Sequence, residues 1–117
     1  MFADLEDGLW SGAKEDNPDN TPIVADFVTA MLKGKPGRMA LKAGDAQMGK
    51  LRTMYEGPRP PRYDKMKKQG AIILGIGGDN SDSGIGTFYE GAITTGYSSD
   101  VTDDAVQTNI HATGYGR

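Results

Sequence analysis

"RMALKAGDAQMGKLRTMYEG", Arg38 to Gly57, can be read in two ways that lead to different folds. Its middle, "GDAQMGKL" from Gly44 to Leu51, has the G-x-x-x-x-G-K spacing of a phosphate loop, which would demand a strand before it and a helix after it. Leu51, however, stands where a serine or threonine must hold magnesium, and the residues that follow alternate as a strand does, so no helix N-terminus would receive a phosphate. The glycines then serve a hairpin: two short strands, Arg38 to Ala43 and Lys50 to Glu56, joined by a turn through Gly44 and Asp45. Met39, Leu41, Leu51, Thr53 and Tyr55 would face one way. This choice sets an antiparallel sheet against a parallel α/β fold.

The neighbouring segments agree with it. Before the hairpin, "IVADFVTAMLKG" is rich in β-branched residues and has a period of two, Ile23, Ala25, Phe27, Thr29 and Met31 against Val24, Asp26, Val28, Ala30 and Leu32, which predicts a strand. "SGAKEDNPDNTP", Ser11 to Pro22, is dense in turn formers and reads as a loop. "MFADLEDGLW" alternates at its start and predicts a strand that ends in an acidic mouth. After the hairpin, the proline-rich "PRPPRYDKMKK" (Pro58 to Lys68) is a solvated basic loop in its simpler reading. "AIILGI" from Ala71 is apolar on both faces and suits a covered central strand, and "GTFYEGAITTGYSS" from Gly86 alternates again as a strand.

One helix closes the chain, in "SSDVTDDAVQTNIHATGYGR". Thr102 can cap its first turn, Asp103 and Asp104 sit where the helix dipole favours anions, Val106 and Ile110 make an i,i+4 apolar pair, and Gly114 supplies the stop. Six strands and one short C-terminal helix indicate an all-β antiparallel sandwich rather than a βαβ fold.

Composition narrows the chemistry. The chain has 117 residues and a net charge of −3, so the basic surface that releases counterions from nucleic acid is not expected. No apolar run approaches the ~20 residues of a membrane span. Met1 leads into acidic residues with no basic n-region, so no secretory leader is expected here. Cysteine is absent and His111 is the single histidine, which excludes a disulfide framework, a thiolate metal site and a serine–histidine triad with a spare base. Carboxylates are left as the chemistry. The 17 glycines, about twice the usual ~7% share, fit many turns or a piece of something larger, as does the low mean hydropathy of −0.52.

Two further motifs fail on their flanks. "GIGGDN", Gly75 to Asn80, follows a strand as a dinucleotide fingerprint would, but has Asn80 in place of the third glycine and no amphipathic helix behind it. "DNSDSGIGTFYE" places Asp79, Gly84 and Glu90 at positions 1, 6 and 12 of a calcium loop, yet Ser81 and Ser83 lack charge and strands rather than helices flank it. No metal and no cofactor are expected. A pair of carboxylates, one from "DLED" and one from "GGDNS", would suit glycoside hydrolysis, which needs two such groups ~5–5.5 Å apart for retention or ~6.5–9.5 Å apart for inversion. On residue chemistry alone, ordinary surface acids at turns explain the same residues.

The blocks "ADLEDGLWSG", "KKQGAIILGIGGDNS", "GTFYEGAITTGYSSDVTDDAVQTNI" and "ATGYG" together resemble the C-terminal part of the catalytic domain of fungal and bacterial α-L-arabinofuranosidase B, glycoside hydrolase family fifty-four. The resemblance covers nearly the whole chain in the same order and is loosest at Lys14 to Thr21 and Pro58 to Lys65. It implies a concanavalin- or laminin-G-like jelly roll, here incomplete, with Glu6 as nucleophile and Asp79 as general acid/base. It also implies that Asp4 and the backbone of Gly78 hold the arabinofuranose ring. Asp7 stands beside the nucleophile where the family usually has asparagine.

The implied reaction is the retaining release of terminal α-L-arabinofuranosyl residues from arabinan or arabinoxylan by a secreted parent enzyme. The family's pocket also uses a cysteine pair and a tryptophan from an earlier part of the domain, so the chain is expected to need that upstream part. Trp10 does not match that tryptophan. The alternatives are a non-catalytic carbohydrate-binding or adhesion module of laminin-G-like shape, with Asp79 in a turn or on calcium, and an inactive fragment.

Overall fold

The structure, a computed structural model, describes residues 22–58 and 85–117. Three antiparallel strands, β1 (Val28–Lys35), β2 (Arg38–Asp45) and β3 (Arg52–Pro58), form a meander in the order β1-β2-β3, and one helix, α1 (Asp100–Thr113), follows.

Each turn has a chemical reason. β1 passes into β2 through Pro36 and Gly37, with Lys35 paired to Arg38. Proline fixes its own φ near −65° and Gly37 takes φ 70°, the sign pattern of a type II turn. β2 runs on through Gly44 and Asp45, where the sequence predicts the turn, because both pair with β1; the β2–β3 loop is Ala46 to Leu51. Asp45 accepts the Gln47 N–H at 2.7 Å, the Ala46 N–H reaches the Phe27 carbonyl at 2.9 Å, and Gly49 takes φ 77°. The loop folds back so closely that a Cβ on Gly44 would stand 3.0 Å from the Lys50 carbonyl oxygen. β3 follows where a phosphate loop would have a helix.

The register sorts side chains onto two faces. Thr29, Met31, Lys33 and Lys35 share one with Arg38, Ala40, Lys42 and Gly44; Val28, Ala30, Leu32 and Gly34 share the other with Met39, Leu41, Ala43 and Asp45. β2 is covered on both: Ala40 and Lys42 are buried on the first, Met39, Leu41 and Ala43 on the second. An antiparallel strand covered on both sides is the packing of a sandwich interior. Leu41, 2% exposed, is its centre.

Further expectations are corrected. The first strand begins at Val28 rather than Ile23, because the chain bends at Asp26 and Phe27 and the Phe27 ring turns away to Tyr89 and Tyr115, centroids 5.4 Å from each. Thr53 does not share a face with Met39, Leu41 and Tyr55. Leu41 pairs with Tyr55 and Lys42 with Thr53, so Met54 is an extra residue, and a bulge of this kind flips everything beyond it to the other face. Leu51 precedes β3.

The segment from Gly86 to Ser99 forms no strand, because among the described residues no other backbone pairs with it. Finally, the helix is capped by Ser99, whose Oγ accepts the Thr102 N–H at 3.2 Å. Thr102 is thus the residue being capped. Gly114 does end the helix, in the left-handed region at φ 75° with its N–H on the His111 carbonyl. The strands expected at Met1 to Leu5 and at Ala71 to Ile76 lie outside the described residues, as do the loops expected at Ser11 to Pro22 and Pro58 to Lys68 except for Pro22 and for Pro58, which ends β3.

Candidate functional site

Glu6, Asp79, Asp4, Asp7 and Gly78 all lie outside the described residues, as do Trp10, Ser81, Ser83 and Gly84. What the structure places is the frame next to which these segments run in the sequence, together with two clusters that the frame assembles.

The first cluster joins α1 to the sheet by charge. Lys33 pairs with Ala40 and Lys42 with Met31, so the lysines are diagonal neighbours on one face, within reach of a shared partner. That partner is Asp103, whose Oδ2 receives Lys33 Nζ and Lys42 Nζ at 2.6 Å each and whose Oδ1 accepts Ser98 Oγ–H at 2.5 Å. Lys42 also reaches Asp100 Oδ1 at 2.6 Å, and Lys33 the Ser98 carbonyl at 3.0 Å. Tyr97 lies across the same face, its ring 4.7 Å from Lys33 Nζ and 4.4 Å from Lys35 Nζ, its hydroxyl on Glu56 at 3.1 Å. The helix therefore buries Asp103 and Gln107, while Val106 is 42% exposed. The expected apolar pair Val106 and Ile110 is not its contact stripe.

Burial alone would push the Asp103 carboxyl up, but the hydrogen bonds from Lys33, Lys42 and Ser98 outweigh it and hold Asp103 below the usual carboxylate range. Burial opposes the charge on Lys42 as well; its hydrogen bonds to Asp100 and Asp103 nevertheless raise it well above an ordinary lysine. A carboxylate kept ionised and fully enclosed can neither donate a proton nor touch a sugar. This cluster is a strut. One turn along, Gln107 Nε2 donates to the Asp45 carbonyl at 2.7 Å and to His111 Nε2 at 2.8 Å, which ties the same helix face to the end of β2.

The second cluster is aromatic and open. Phe27, Tyr89 and Tyr115 meet with centroids 5.3–5.4 Å apart. Tyr115 donates its hydroxyl to Glu90 at 2.5 Å, and its own ionisation is raised first by that bond. Glu90, the twelfth position of the calcium-loop spacing, thus has a tyrosine as partner. Among the described residues no three acidic or imidazole groups converge as metal ligands would.

An antiparallel sheet whose middle strand is covered on both faces, locked to a helix by charge and with no phosphate loop among the described residues, defines a part of an all-β scaffold rather than a nucleotide-binding domain. Residues 1–116 match the family described as "Alpha-L-arabinofuranosidase B, catalytic". Over 98% of its length the chain is 52% identical to an "Arabinofuranosidase/B-xylosidase" of Trichoderma koningii and 53% identical to the "Alpha-L-arabinofuranosidase B" of Emericella nidulans. It spans 24% and 23% of those two relatives, about a quarter of their length.

Among solved structures it is similar to a glutamate-to-glutamine variant of a GH54 α-L-arabinofuranosidase soaked with 4-nitrophenyl α-L-arabinofuranoside. The TM-score is 0.68 at 51% identity, over 79% of this chain and 20% of that one. The chain belongs to the α-L-arabinofuranosidase B catalytic family.

Sequence reasoning missed Lys33, Lys42 and Asp103 as a unit. The available signal was two lysines set in otherwise apolar strands, which charge periodicity assigns to solvent.

Proposed function

We propose that this chain supplies both catalytic carboxylates of a retaining α-L-arabinofuranosidase and forms the C-terminal part of its catalytic sandwich. The observation that carries this reading is the family match over residues 1–116 at about half identity to arabinofuranosidases. It takes in both the "DLED" and the "GGDNS" segments.

Glu6 attacks the anomeric carbon of a terminal arabinofuranosyl residue. The glycosidic C–O bond breaks, and its electron pair leaves on the oxygen that takes the proton of Asp79. Asp79 then accepts a proton from water as that water displaces Glu6, so the sugar leaves with its original configuration. Asp79 must begin protonated and Glu6 ionised, a division that neighbouring charge or burial sets in carboxylate pairs. Asp4, Asp7 and the Gly78 backbone hold the ring. The substrate is an arabinose-containing plant polysaccharide such as arabinan or arabinoxylan, a polymer too large to enter a cell, which places the parent enzyme outside it. Since the chain spans about a quarter of its relatives, the pocket is completed by an upstream part.

The test is hydrolysis of 4-nitrophenyl α-L-arabinofuranoside and of an arabinose disaccharide by the chain extended with that upstream part. Glu6→Gln should lower kcat on both by ~10³-fold or more. Asp79→Asn should lower it by ~10²–10⁴-fold on the disaccharide and far less on the nitrophenyl substrate, whose leaving group needs no proton. Activity that survives both substitutions removes the assignment, and so does a first-formed product with the opposite anomeric configuration.

A further inference from the structure

Among the described residues, two buried side-chain atoms have no hydrogen-bond partner, Thr29 Oγ1 and Gln107 Oε1. An enclosed polar atom left so costs the loss of its hydration, and such atoms are normally matched by protein or by an ordered water. Thr29 is 8% and Gln107 2% exposed. This chain therefore shields them already, and a longer domain packing against its outside does not reach them. The Gln107 amide has a fixed orientation, because only its Nε2 can donate to the Asp45 carbonyl at 2.7 Å. The atom without a partner is thus an acceptor, whereas the Thr29 hydroxyl has a proton to give.

The sheet register brings the two side chains to one place. Thr29 stands opposite Gly44 on the face that carries Lys33 and Lys42, and Gln107 is anchored on the carbonyl of the next residue, Asp45. Gly44 puts no side chain between them. Over it hangs the Lys50 carbonyl oxygen, 3.0 Å from where a Cβ would stand, and opposed residues have their Cβ positions about 5 Å apart, so this oxygen lies beside Thr29. One donor and two acceptors converge, yet Thr29 and Gln107 do not reach each other. We infer that one buried water is the ligand of this site. It accepts the Thr29 Oγ–H and donates to Gln107 Oε1 and to the Lys50 carbonyl, and three bonds are the usual number for an internal water. A cation could use the same oxygens, but Lys33 and Lys42 on the same face oppose one. The water lies one helical turn from Asp103 and continues the polar seam between α1 and the sheet.

The test is a crystal structure of the extended catalytic-domain protein at a resolution that shows ordered solvent, and it reads no hydrolysis, so loss of the proposed function leaves this inference standing. A water oxygen should stand within about 3.0 Å of both Thr29 Oγ1 and Gln107 Oε1. Thr29→Val keeps the shape but removes the donor, so it should lower the urea midpoint and displace the water, whereas Thr29→Ser should keep the water in place. Where a variant fails to fold, the parent structure alone decides. No water in contact with both atoms overturns the inference. So does a direct bond between Thr29 and Gln107, a side chain of the upstream part in the same position, or a cation there, recognised by oxygens at ~2.3–2.6 Å. Retention of the water in Thr29→Val with an unchanged midpoint overturns the role given to Thr29, and with it the site.

Discussion

Lys42 Nζ stands 2.6 Å from Asp103 Oδ2, with the lysine side chain 6% exposed and the aspartate fully enclosed. Lys33 meets the same oxygen at the same distance, so one buried carboxylate is shared by two cations diagonally placed on the sheet, with the exposed Asp100 supplying the second negative charge at 2.6 Å from Lys42. Removing one partner of a buried pair costs more than the pair contributes, because the charge left behind has lost its water as well. Asp103→Ala should therefore destabilise the extended protein by about 3 kcal/mol, with Asp103→Asn falling between it and the parent. Adding Lys33→Met and Lys42→Met to an Asp103→Leu variant should recover most of the loss, since no charge then remains to be desolvated. Urea midpoints of the set decide it: a cost for Asp103→Ala that the lysine substitutions do not relieve would mean packing, and not charge, is at stake.

The same cluster gives stability a defined pH range. Asp103 is held low by its ion pairs and Asp100 by Lys42. Their stabilisation is present above the unfolded aspartate value of ~3.9 and is lost as pH falls through their lower folded values. Lys42 is raised, so its share is complete below the unfolded lysine value of ~10.4 and is lost as pH rises through its higher folded value. Urea midpoints should be level between these limits and fall outside both. Asp100→Asn with Asp103→Asn should flatten the acid limb; an unchanged acid limb would move its origin elsewhere. Tyr97 is also raised, by burial and then by its bond to Glu56, and loses its contribution in the alkaline range. Tyr97→Phe separates it from Lys42.

That charge lock shows where legibility in the sequence ended. β2, β3 and the end of α1 could be read because their signals are local: alternation in "RMALKA" and "RTMYE", and a glycine after the last turn of helix. The lock could not, because its members lie 61 and 70 positions apart, and alternation treats a lysine in a strand as a solvent-facing residue. The bulge at Met54 escaped for a related reason. An extra residue leaves hydrophobicity unchanged and shows only once the partner strand is known. Gly86 to Ser99 has the alternation of a strand without a partner among the described residues, so the pattern was read correctly as potential and wrongly as structure. The site residues Glu6 and Asp79 come from family resemblance, since composition and spacing alone favour ordinary surface acids at turns.

The helix start separates the two readings of its cap. If Ser99 is the cap, as its Oγ contact with the Thr102 N–H indicates, Ser99→Ala should cost about 1 kcal/mol. Thr102→Val should cost little, since Thr102 contributes its backbone N–H to the cap. Equal losses from the two variants, or a larger one from Thr102→Val, would restore the expectation drawn from sequence. At the other end, Gly114 takes φ 75°, a region that costs a side chain roughly 1–2 kcal/mol. Gly114→Ala should lower the thermal midpoint accordingly, although there is room for the added methyl group, whose nearest neighbour would be Arg117 Cδ at 3.4 Å.

Asp7 supplies the prediction that bears most directly on the reaction. The family usually carries an uncharged asparagine directly after the nucleophile, and here a second carboxylate follows Glu6. In the proposed mechanism only ionised Glu6 attacks the anomeric carbon, and a like charge on the next residue disfavours that ionisation. Asp7→Asn in the extended protein should therefore shift the acid limb of the kcat/KM profile, which reports the free enzyme's essential base, to lower pH. The basic limb, which under the proposed mechanism reports loss of the proton from Asp79, should move less, because that residue lies in a separate segment. A shift of the basic limb alone would mean that Asp7 acts on the acid/base. An acid limb that stays in place while KM changes would mean that Asp7 serves only to hold the sugar.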